Sequence, residues 1–560
     1  MLYFRACRRR RQPFGGGIAQ LGERLAGSQK VTGSSPVTST ISTTTSPLPV
    51  AVVAAPRFLL GLVFLAGIGS MASEMCASRL LAPYYGSSTV VWANIIGLIL
   101  ASLSVGYWLG GLLADRRPSP SLLATLVLAA AAWVAMIPFV ARPFLDLSIK
   151  GIETVSTGAV VGSFAASLAL FAPPVVLFGM VTPFAIRLAA TGVADAGRVA
   201  GRVFALSTAG SLLGTFVPAL VTIPLIGTQR TLIGAALILA LAATPLLRRR
   251  VFGLVAAAVF ALLLAVPPGA VRAQDGLLHE EESRYQFIQV VQSGQERRLY
   301  LNEGVAIHSV WRADTVLTGG EWDMFLAAPP LLGRPAARVA TLGNAAGTTA
   351  RAFGVYYPEA EIDGIEIDPA VSAVGRRYFG LGDNPRLTVH TADARPFLKT
   401  SRERYDLILI DAYRQPYVPF YLATREFFDL CRRRLRAGGI VALNVSTVPG
   451  DDRLARAVAG TLRREFPQVV TWQALRFNQF VVGLTTPQPR AVLAERLRAS
   501  PSDLLPLAEL FARDLREAAP ASRPWTDDLA PVEWITDRMI AAYALQGATA
   551  SEDLLPTAPR

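Results

Sequence analysis

Seven long apolar runs between Phe58 and Val266 limit the possible folds of this chain more than any other feature. They lie at about 58–82, 88–112, 121–141, 158–186, 203–226, 231–247 and 251–267, and short turns separate them. A helix of about 20 apolar residues crosses the roughly 30 Å of hydrocarbon in a bilayer. The pattern therefore predicts an all-α membrane domain of about seven helices over residues 58–270.

The net charge of +13 does not belong to the C-terminal half of the chain. Residues 1–57 carry +7 and residues 58–272 carry +8, whereas the remaining 288 residues carry −2. Because a domain that binds nucleic acid keeps positive charge on itself, nucleic acid is excluded as a partner. The three cysteines and three histidines lack ligand-like spacing, so we expect neither a disulfide framework nor a metal site.

Residues 1–57 have the composition of a disordered segment, because Gly, Ser and Thr dominate without periodicity. The stretch IAQLGERLAGSQKVTGSSPVTST also resembles the peptide obtained when a transfer-RNA gene is translated. We therefore expect either a disordered segment or an incorrectly assigned start.

The pattern changes to short strands from Leu277 onward. Residues 277–325 are expected to form a small β-hairpin domain, with strands at 284–292, 297–302 and 304–310 around a Ser-Gly turn. Residues 330–490 alternate strands with helical stretches, which predicts an α/β, doubly wound, Rossmann-like sheet. Residues 491–560 are expected to form a helical tail.

Ligands of such sheets bind beyond the carboxyl ends of the parallel strands. Gly343 and Gly347 follow the first strand, where they let the backbone approach a ligand, and Glu366 ends the second at the spacing suited to ribose hydroxyls. Asp393 ends the third strand, where it can accept from an adenine amine, and Asp411 ends the fourth. Each acid could instead cap a helix, but together the acids predict a nucleoside site.

Over residues 58–545 the chain resembles the membrane-fused members of the spermidine synthase family. The resemblance rests on Ser283 to Gln286, Glu366 to Pro369, Asp393, Asp411, Leu422 to Phe428, Leu435 to Gly439 and Thr526 to Glu533. It implies an S-adenosylmethionine-methyltransferase-like sheet, a transferase activity in polyamine biosynthesis, and decarboxylated S-adenosylmethionine or S-adenosylmethionine as co-substrate, with no metal.

The resemblance also implies roles for individual residues. Gln286, Glu366 and Asp393 would hold the nucleoside, and Asp411 with Tyr413 nearby would bind the attacking amine and accept its proton. The implied partners are a small-molecule amine and the lipid bilayer, and a homodimer is one possible assembly.

Several positions depart from the family pattern. Ala346 and Arg414 replace two acids of the site, Glu321-Trp322-Asp323 replaces a Tyr-His-Glu run, and His308 replaces a Gln. Lost carboxylates weaken the binding of a polycation. Two alternatives to aminopropyl transfer therefore stay open: an S-adenosylmethionine-dependent methyltransferase, and a non-catalytic membrane transporter that responds to a nucleoside or polyamine.

The orientation in the membrane depends on the number of helices. The second, fourth and sixth connections carry eight Lys/Arg and the other three carry three, so the former face the cytoplasm. Seven helices would then place the soluble domain outside. Because the implied co-substrate is cytosolic, we expect one missed or re-entrant segment and a cytoplasmic soluble domain at the bacterial inner membrane. Glu74 and Arg79 lie in an apolar run and are functional candidates or a structural ion pair.

Overall fold

The structure is a computed structural model, and it describes residues 56–85, 89–150, 158–266, 274–302, 306–413, 417–545 and 555–557. The expectation for the N-terminal segment and the position of Arg414 lie outside these residues. The first part of the described chain is entirely helical and the second part is α/β, as the sequence predicts.

The helical domain contains eight α-helices within the described residues. They are α1 (Pro56–Tyr85), α2 (Thr89–Arg116), α3 (Pro120–Lys150), α4 (Gly158–Leu170), α5 (Ala172–Ala189), α6 (Val193–Val217), α7 (Ile223–Ala243) and α8 (Arg250–Ala265). By length and composition, five segments could cross a membrane: 57–84, 91–116, 120–145, 172–189 and 193–246, the last comprising α6 and α7.

Some consecutive helices continue into one another, so that the eight helices form seven helical segments in the described chain. Backbone hydrogen bonds from Phe171 to Ser167 and from Val175 to Phe171 join α4 and α5 into one kinked helical segment. Helix α6 continues through a π-helical turn, Pro218–Thr222, until Gly227 breaks the helix with φ 81° and ψ 166°. The remainder of α7 then runs back across the bundle.

Small residues allow close contact between the backbones of α2 and α5. A Cβ added to Gly110 would lie 2.5 Å from Met180 Cα, and one added to Gly179 would lie 2.7 Å from the carbonyl oxygen of Leu103. Both distances are shorter than side-chain contacts allow, so only glycine fits at these positions. Small residues at helix interfaces are typical of membrane bundles.

The arginine-rich connections lie together at one end of the bundle. Arg187 at the end of α5 pairs with Asp115 at the end of α2, and the Arg248 amide donates to Ser121 at the start of α3. Thr228, about 20 residues before Arg248, lies about 30 Å away along α7 and contacts the α/β part of the chain through Glu282. A cytoplasmic α/β domain would need one further crossing or re-entrant segment. The described residues contain no such segment.

Two sheets follow the helical domain. An antiparallel sheet has the order β1 (Leu277–Glu282), β2 (Phe287–Ser293), β3 (Glu296–Leu301), β4 (Ile307–Trp311). The second sheet contains β5 (Arg338–Leu342), β6 (Glu361–Glu366), β7 (Leu387–Thr391), β8 (Tyr405–Ile410), β9 (Leu435–Ser446), β10 (Gln468–Leu475), β11 (Asn478–Leu484) and β12 (Arg516–Glu517). Its order is β12-β10-β11-β9-β8-β5-β6-β7, and β7, β6, β5, β8 and β9 are parallel.

Helices cover both faces of the larger sheet and complete the doubly wound fold. They are α9 (Ala328–Leu331), α10 (Thr348–Tyr356), α11 (Pro369–Tyr378), α12 (Ala394–Thr400), α13 (Arg425–Arg434), α14 (Arg453–Leu462), α15 (Arg490–Arg498), α16 (Leu505–Asp514) and α17 (Val532–Leu545). The strand order reverses between β5 and β8, where the crevice for a ligand is expected. Buried apolar clusters line both faces, and the central strand β8 is accordingly almost continuously apolar.

Candidate active site

A cavity of about 500 Å³ opens at the carboxyl ends of β5, β6 and β8, where the strand order reverses. The predicted site residues Gln286, Gly343, Glu366, Asp393, Asp411 and Tyr413 all line it. Gly347 lies one turn away and begins α10. The structure therefore brings together, in a single cavity, the residues that the sequence placed at separate strand ends.

Gly343 is required by the tight turn that follows β5. Its φ is +87°, and an added Cβ would lie 2.5 Å from the carbonyl oxygen of Asp411. Gly347 has φ +92° and caps α10, so both glycines adopt the left-handed conformation that other residues avoid. Ala345 adopts φ +44° between them. This backbone lies close beside the fourth strand end.

Glu366 is buried at the end of β6 and binds the glycine-rich turn. Its two oxygens accept from the Ala345 and Asp368 amides, each at 3.0 Å. Burial raises the pKa of Glu366 to about 7, although these amides lower it. A carboxylate with a raised pKa in a cavity is typical of a functional site.

Gln286 reaches the same region through the β1–β2 connection. Ser283 donates to Asp368 at 2.5 Å, and the side chain of Gln286 also hydrogen-bonds Asp368. Asp368 caps α11 by accepting from the Ala370 amide. The connection that carries Gln286 is thus fixed to the residue two positions after Glu366.

Asp393 caps α12 and keeps one oxygen near the cavity. One oxygen accepts from the Arg395 amide at 3.0 Å, and the other accepts from the Tyr421 hydroxyl at 3.0 Å. Ile367, Ala392 and Leu422 line the same cavity and supply apolar surface for a planar ring. The helix-cap role weighed for this acid is therefore real, and it coexists with a position in the cavity.

Asp411 follows β8, and its carboxylate is oriented by a pair of amides. Asn478 donates to the Asn444 side-chain oxygen at 2.9 Å, which turns the Asn444 amino group toward Asp411 at 3.0 Å. Burial raises the pKa of Asp411 to about 6, and the hydrogen bond from Asn444 opposes that shift. At pH 7 the group is therefore mostly ionised and still basic enough to take a proton.

Tyr413 supports this arrangement through the backbone. Its hydroxyl donates to the Asn444 carbonyl oxygen and accepts from the Ser446 amide, both at 2.9 Å. Burial raises the pKa of the Tyr413 phenol far above its usual range. The hydroxyl therefore ties the loop after β8 to β9, while the ring lines the cavity.

Glu321 is a cavity residue that the sequence reasoning treated only as a departure from a motif. Burial, together with the neighbouring carboxylate of Asp411, raises the pKa of Glu321 to about 8. Asp323, two residues later, instead accepts from Thr318, Gly319 and Thr557 and is buried away from the cavity. The Gly-Gly-Glu sequence before a short apolar run could have indicated an acid at a turn, although not its direction.

The glycine-rich turn presents Asn344, not Ala346, to the cavity. Ala346 is fully buried in an apolar cluster with Val371 and Val374. Asn344 is 5% exposed, and neither polar atom of its side chain has a hydrogen-bond partner among the described residues. An unpaired buried amide costs about 1–3 kcal/mol, so a polar ligand group would relieve that cost.

His308 brings a second buried, unpaired polar atom to the cavity. Its Nε2 atom has no hydrogen bond within the described chain, and burial lowers the pKa of His308 to about 4. The imidazole is therefore neutral at pH 7 and offers one donor and one acceptor. Like Asn344, it fits a polar ligand better than an empty apolar space.

The helical domain forms one wall of the cavity and binds its loops. Arg79 in α1 donates to the carbonyl oxygens of Ser283 at 3.3 Å and Arg284 at 2.6 Å. Glu282 accepts from the Thr228 hydroxyl, and burial raises the pKa of Glu282. Arg79 thus contacts the site directly, whereas Glu74 does not line the cavity.

The chain combines a doubly wound sheet with a polar cavity where the strand order reverses, and its relatives are named as transferases. Residues 323–475 match the spermine/spermidine synthase domain. A protein of Bifidobacterium longum named a probable polyamine aminopropyl transferase is 30% identical over 308 residues, which cover 51% of this chain and 68% of that protein. The chain belongs to the spermidine synthase family of polyamine aminopropyltransferases.

Other relatives match smaller portions. A polyamine aminopropyltransferase of Vibrio vulnificus is 30% identical over 177 residues, 30% of this chain and 58% of that one. Among solved structures, a probable spermidine synthase from Corynebacterium glutamicum is 18% identical, with a TM-score of 0.35, over 52% of this chain and all of that one. No cluster of three or more His, Cys, Asp or Glu suited to a metal ion occurs in the residues that the structure describes.

Proposed function

We propose that this chain is a membrane-anchored transferase that moves an aminopropyl group from decarboxylated S-adenosylmethionine to an amine. The observation that carries the proposal is the single cavity in which Glu366 and Asp393 lie together with the hydrogen-bonded pair Asp411 and Asn444. The first two suit a nucleoside, and the last two suit an amine that must lose a proton. The same cavity therefore serves both substrates.

The nucleoside part of the cavity has the polar groups that such a donor needs. Glu366 would accept from the ribose hydroxyls, and Asp393 would accept from the adenine amine beside Ile367. The unpaired amide of Asn344 and imidazole of His308 supply further donors and acceptors. Gln286 would contact the donor from the β1–β2 connection.

Asp411 would prepare the acceptor for attack. An alkylammonium with a pKa near 10 is almost wholly protonated in water at pH 7, and Asp411 would bind the cation and accept its proton. The amine nitrogen then forms a bond to the carbon next to the sulfonium. The carbon–sulfur bond breaks, its electron pair stays on sulfur, and methylthioadenosine leaves. Tyr413 would act as a positioning residue, because its hydroxyl is bonded to the β9 backbone.

Membrane anchoring rests on the five segments that are long and apolar enough to span a bilayer. The α/β domain lies at the end of the bundle away from the arginine-rich connections. The positive-inside rule places those connections in the cytoplasm and therefore places the α/β domain outside it. A cytosolic donor requires the reverse orientation. Labelling of single cysteines introduced at exposed positions, one in the connection after α2 and one in the α/β domain, distinguishes the two in intact cells.

The test of the reaction uses the full chain purified in detergent. It is incubated with decarboxylated or ordinary S-adenosylmethionine and a mixture of amines, and mass spectrometry identifies the nucleoside released. Methylthioadenosine with an aminopropylated amine is expected. S-adenosylhomocysteine would instead identify a methyltransferase, and nucleoside binding without either product would favour a transporter or sensor.

A further inference from the structure

The cavity that contains Asp411 also has an apolar wall, which the helical domain supplies. The side chains that form this wall come from α1, α2 and the start of α7; they are Met75, Ala82, Val91, Trp92, Ile95 and Ile223. Val91, Ile95 and Ile223 are buried almost completely, at 2–3% exposure. We call this surface the helical wall.

The charges next to the helical wall do not suit a second ammonium group. Arg79 and Arg284 both line the cavity there. Among the described residues that line the cavity, Glu282 is the acid that adjoins Arg284 in the sequence, and it is already bound to the hydroxyl and the amide of Thr228. The acids Glu321 and Asp411 lie on the α/β side of the cavity, near the position where the reacting nitrogen would be held.

An acceptor with one amine and an apolar body matches this distribution. Its ammonium would be held by the carboxylates, and its apolar part would replace water along the helical wall. A linear polyamine would instead place its second cation beside two arginines and an apolar surface, where burial of an unpaired charge is strongly unfavourable. The separation of acids from apolar surface in one cavity therefore selects between the two acceptor classes.

We propose that the helical wall binds the apolar body of the acceptor, so that the preferred acceptor is an amphiphilic monoamine. This inference rests on the proposed aminopropyl transfer and specifies its substrate class. Trp92 is the largest side chain of the wall, and aromatic rings offer a large apolar surface to an alkyl or aryl group.

The test compares acceptors of matched basicity on the full chain in detergent. Butylamine, hexylamine and octylamine are measured against 1,4-diaminobutane and 1,8-diaminooctane, with saturating decarboxylated S-adenosylmethionine. Burial of each methylene is expected to raise kcat/KM about fourfold, and octylamine is expected to exceed 1,8-diaminooctane by about tenfold or more. A flat response to chain length, or a preference for the diamines, would overturn the inference.

Two variants locate the effect on the wall. Trp92→Ala is expected to reduce the ratio of kcat/KM for octylamine to that for butylamine by about tenfold. Trp108→Ala is the matched control, since Trp108 lies on the same helix and is 66% exposed, and that ratio should not change. The chain-length series of the unaltered protein needs no variant to fold. Transfer to diamines alone refutes only this inference, whereas no transfer to any amine refutes the proposed function as well.

Discussion

Replacement of Asp411 by Asn tests the chemical step most directly. Asparagine has the same shape, and its side-chain oxygen can still accept from Asn444, which lies 3.0 Å away in the structure. The donor site at Glu366 and Asp393 is not altered. The variant therefore removes a base while it leaves the cavity and its hydrogen bonds in place.

The expected loss follows from the role of a general base. Removal of such a group costs about 10²- to 10⁴-fold in rate, which equals about 3–5.5 kcal/mol of transition-state stabilisation. The pKa of Asp411 near 6 also sets the pH dependence. Because the ionised form is the active one, kcat/KM for the amine should fall as the pH drops through about 6, and this limb should be absent in Asp411→Asn.

The assay is the release of methylthioadenosine in single turnovers between pH 5 and 8. Asp528→Asn removes an exposed acid outside the cavity and is the charge-matched control. Glu321→Gln should keep the limb near pH 6, since Glu321 has a pKa of about 8 and is protonated there. Retention of the rate within threefold, or of the acidic limb, in Asp411→Asn would refute the assignment of Asp411 as the base.

Two further predictions concern the binding of the donor. Burial raises the pKa of Glu366 to about 7, and ribose hydroxyls favour the ionised form. The affinity for methylthioadenosine, measured by calorimetry, should therefore rise between pH 6 and 8. Glu366→Gln should abolish this rise. Arg79→Ala should raise the KM for the donor about tenfold, with little change in kcat, because two charge-assisted hydrogen bonds are lost. Arg57→Ala, at the exposed other end of α1, is the control and should leave the KM unchanged. Equal effects of the two variants would contradict this role of Arg79.

The parallel strands and their ends could be predicted because their residues follow local rules. Short apolar runs indicate β5 and β8, and the polar residue that closes each strand has to lie at one edge of the sheet. A local pattern does not reveal β10, because polar positions interrupt its apolar run, or β12, because it has only two residues. The first strand that the sequence predicts is 284–292, so β1 is not among the predicted strands, because three acids at its end break the apolar pattern.

The direction of individual side chains could not be predicted. Ala345 adopts a left-handed φ of +44°, which turns Asn344 toward the cavity and Ala346 into the core. Ala346 stands where the resemblance implies an acid, but the sequence does not show which side chain of the turn faces the cavity. The cavity role of Glu321 and the contacts of Arg79 depend on long-range packing, which no local pattern encodes.

The hydrogen bonds from α1 to the β1–β2 connection determine how the proposed reaction must be studied. A fragment that begins at Gln274 would lose Arg79, Thr228 and the helical wall together, so its kinetics would describe a cavity open to water on one side. Detergents or lipids that shift α1 relative to α7 should likewise change the KM for a donor that is itself soluble in water. Bilayer composition thereby becomes a kinetic variable for a reaction whose reacting atoms lie in the α/β domain.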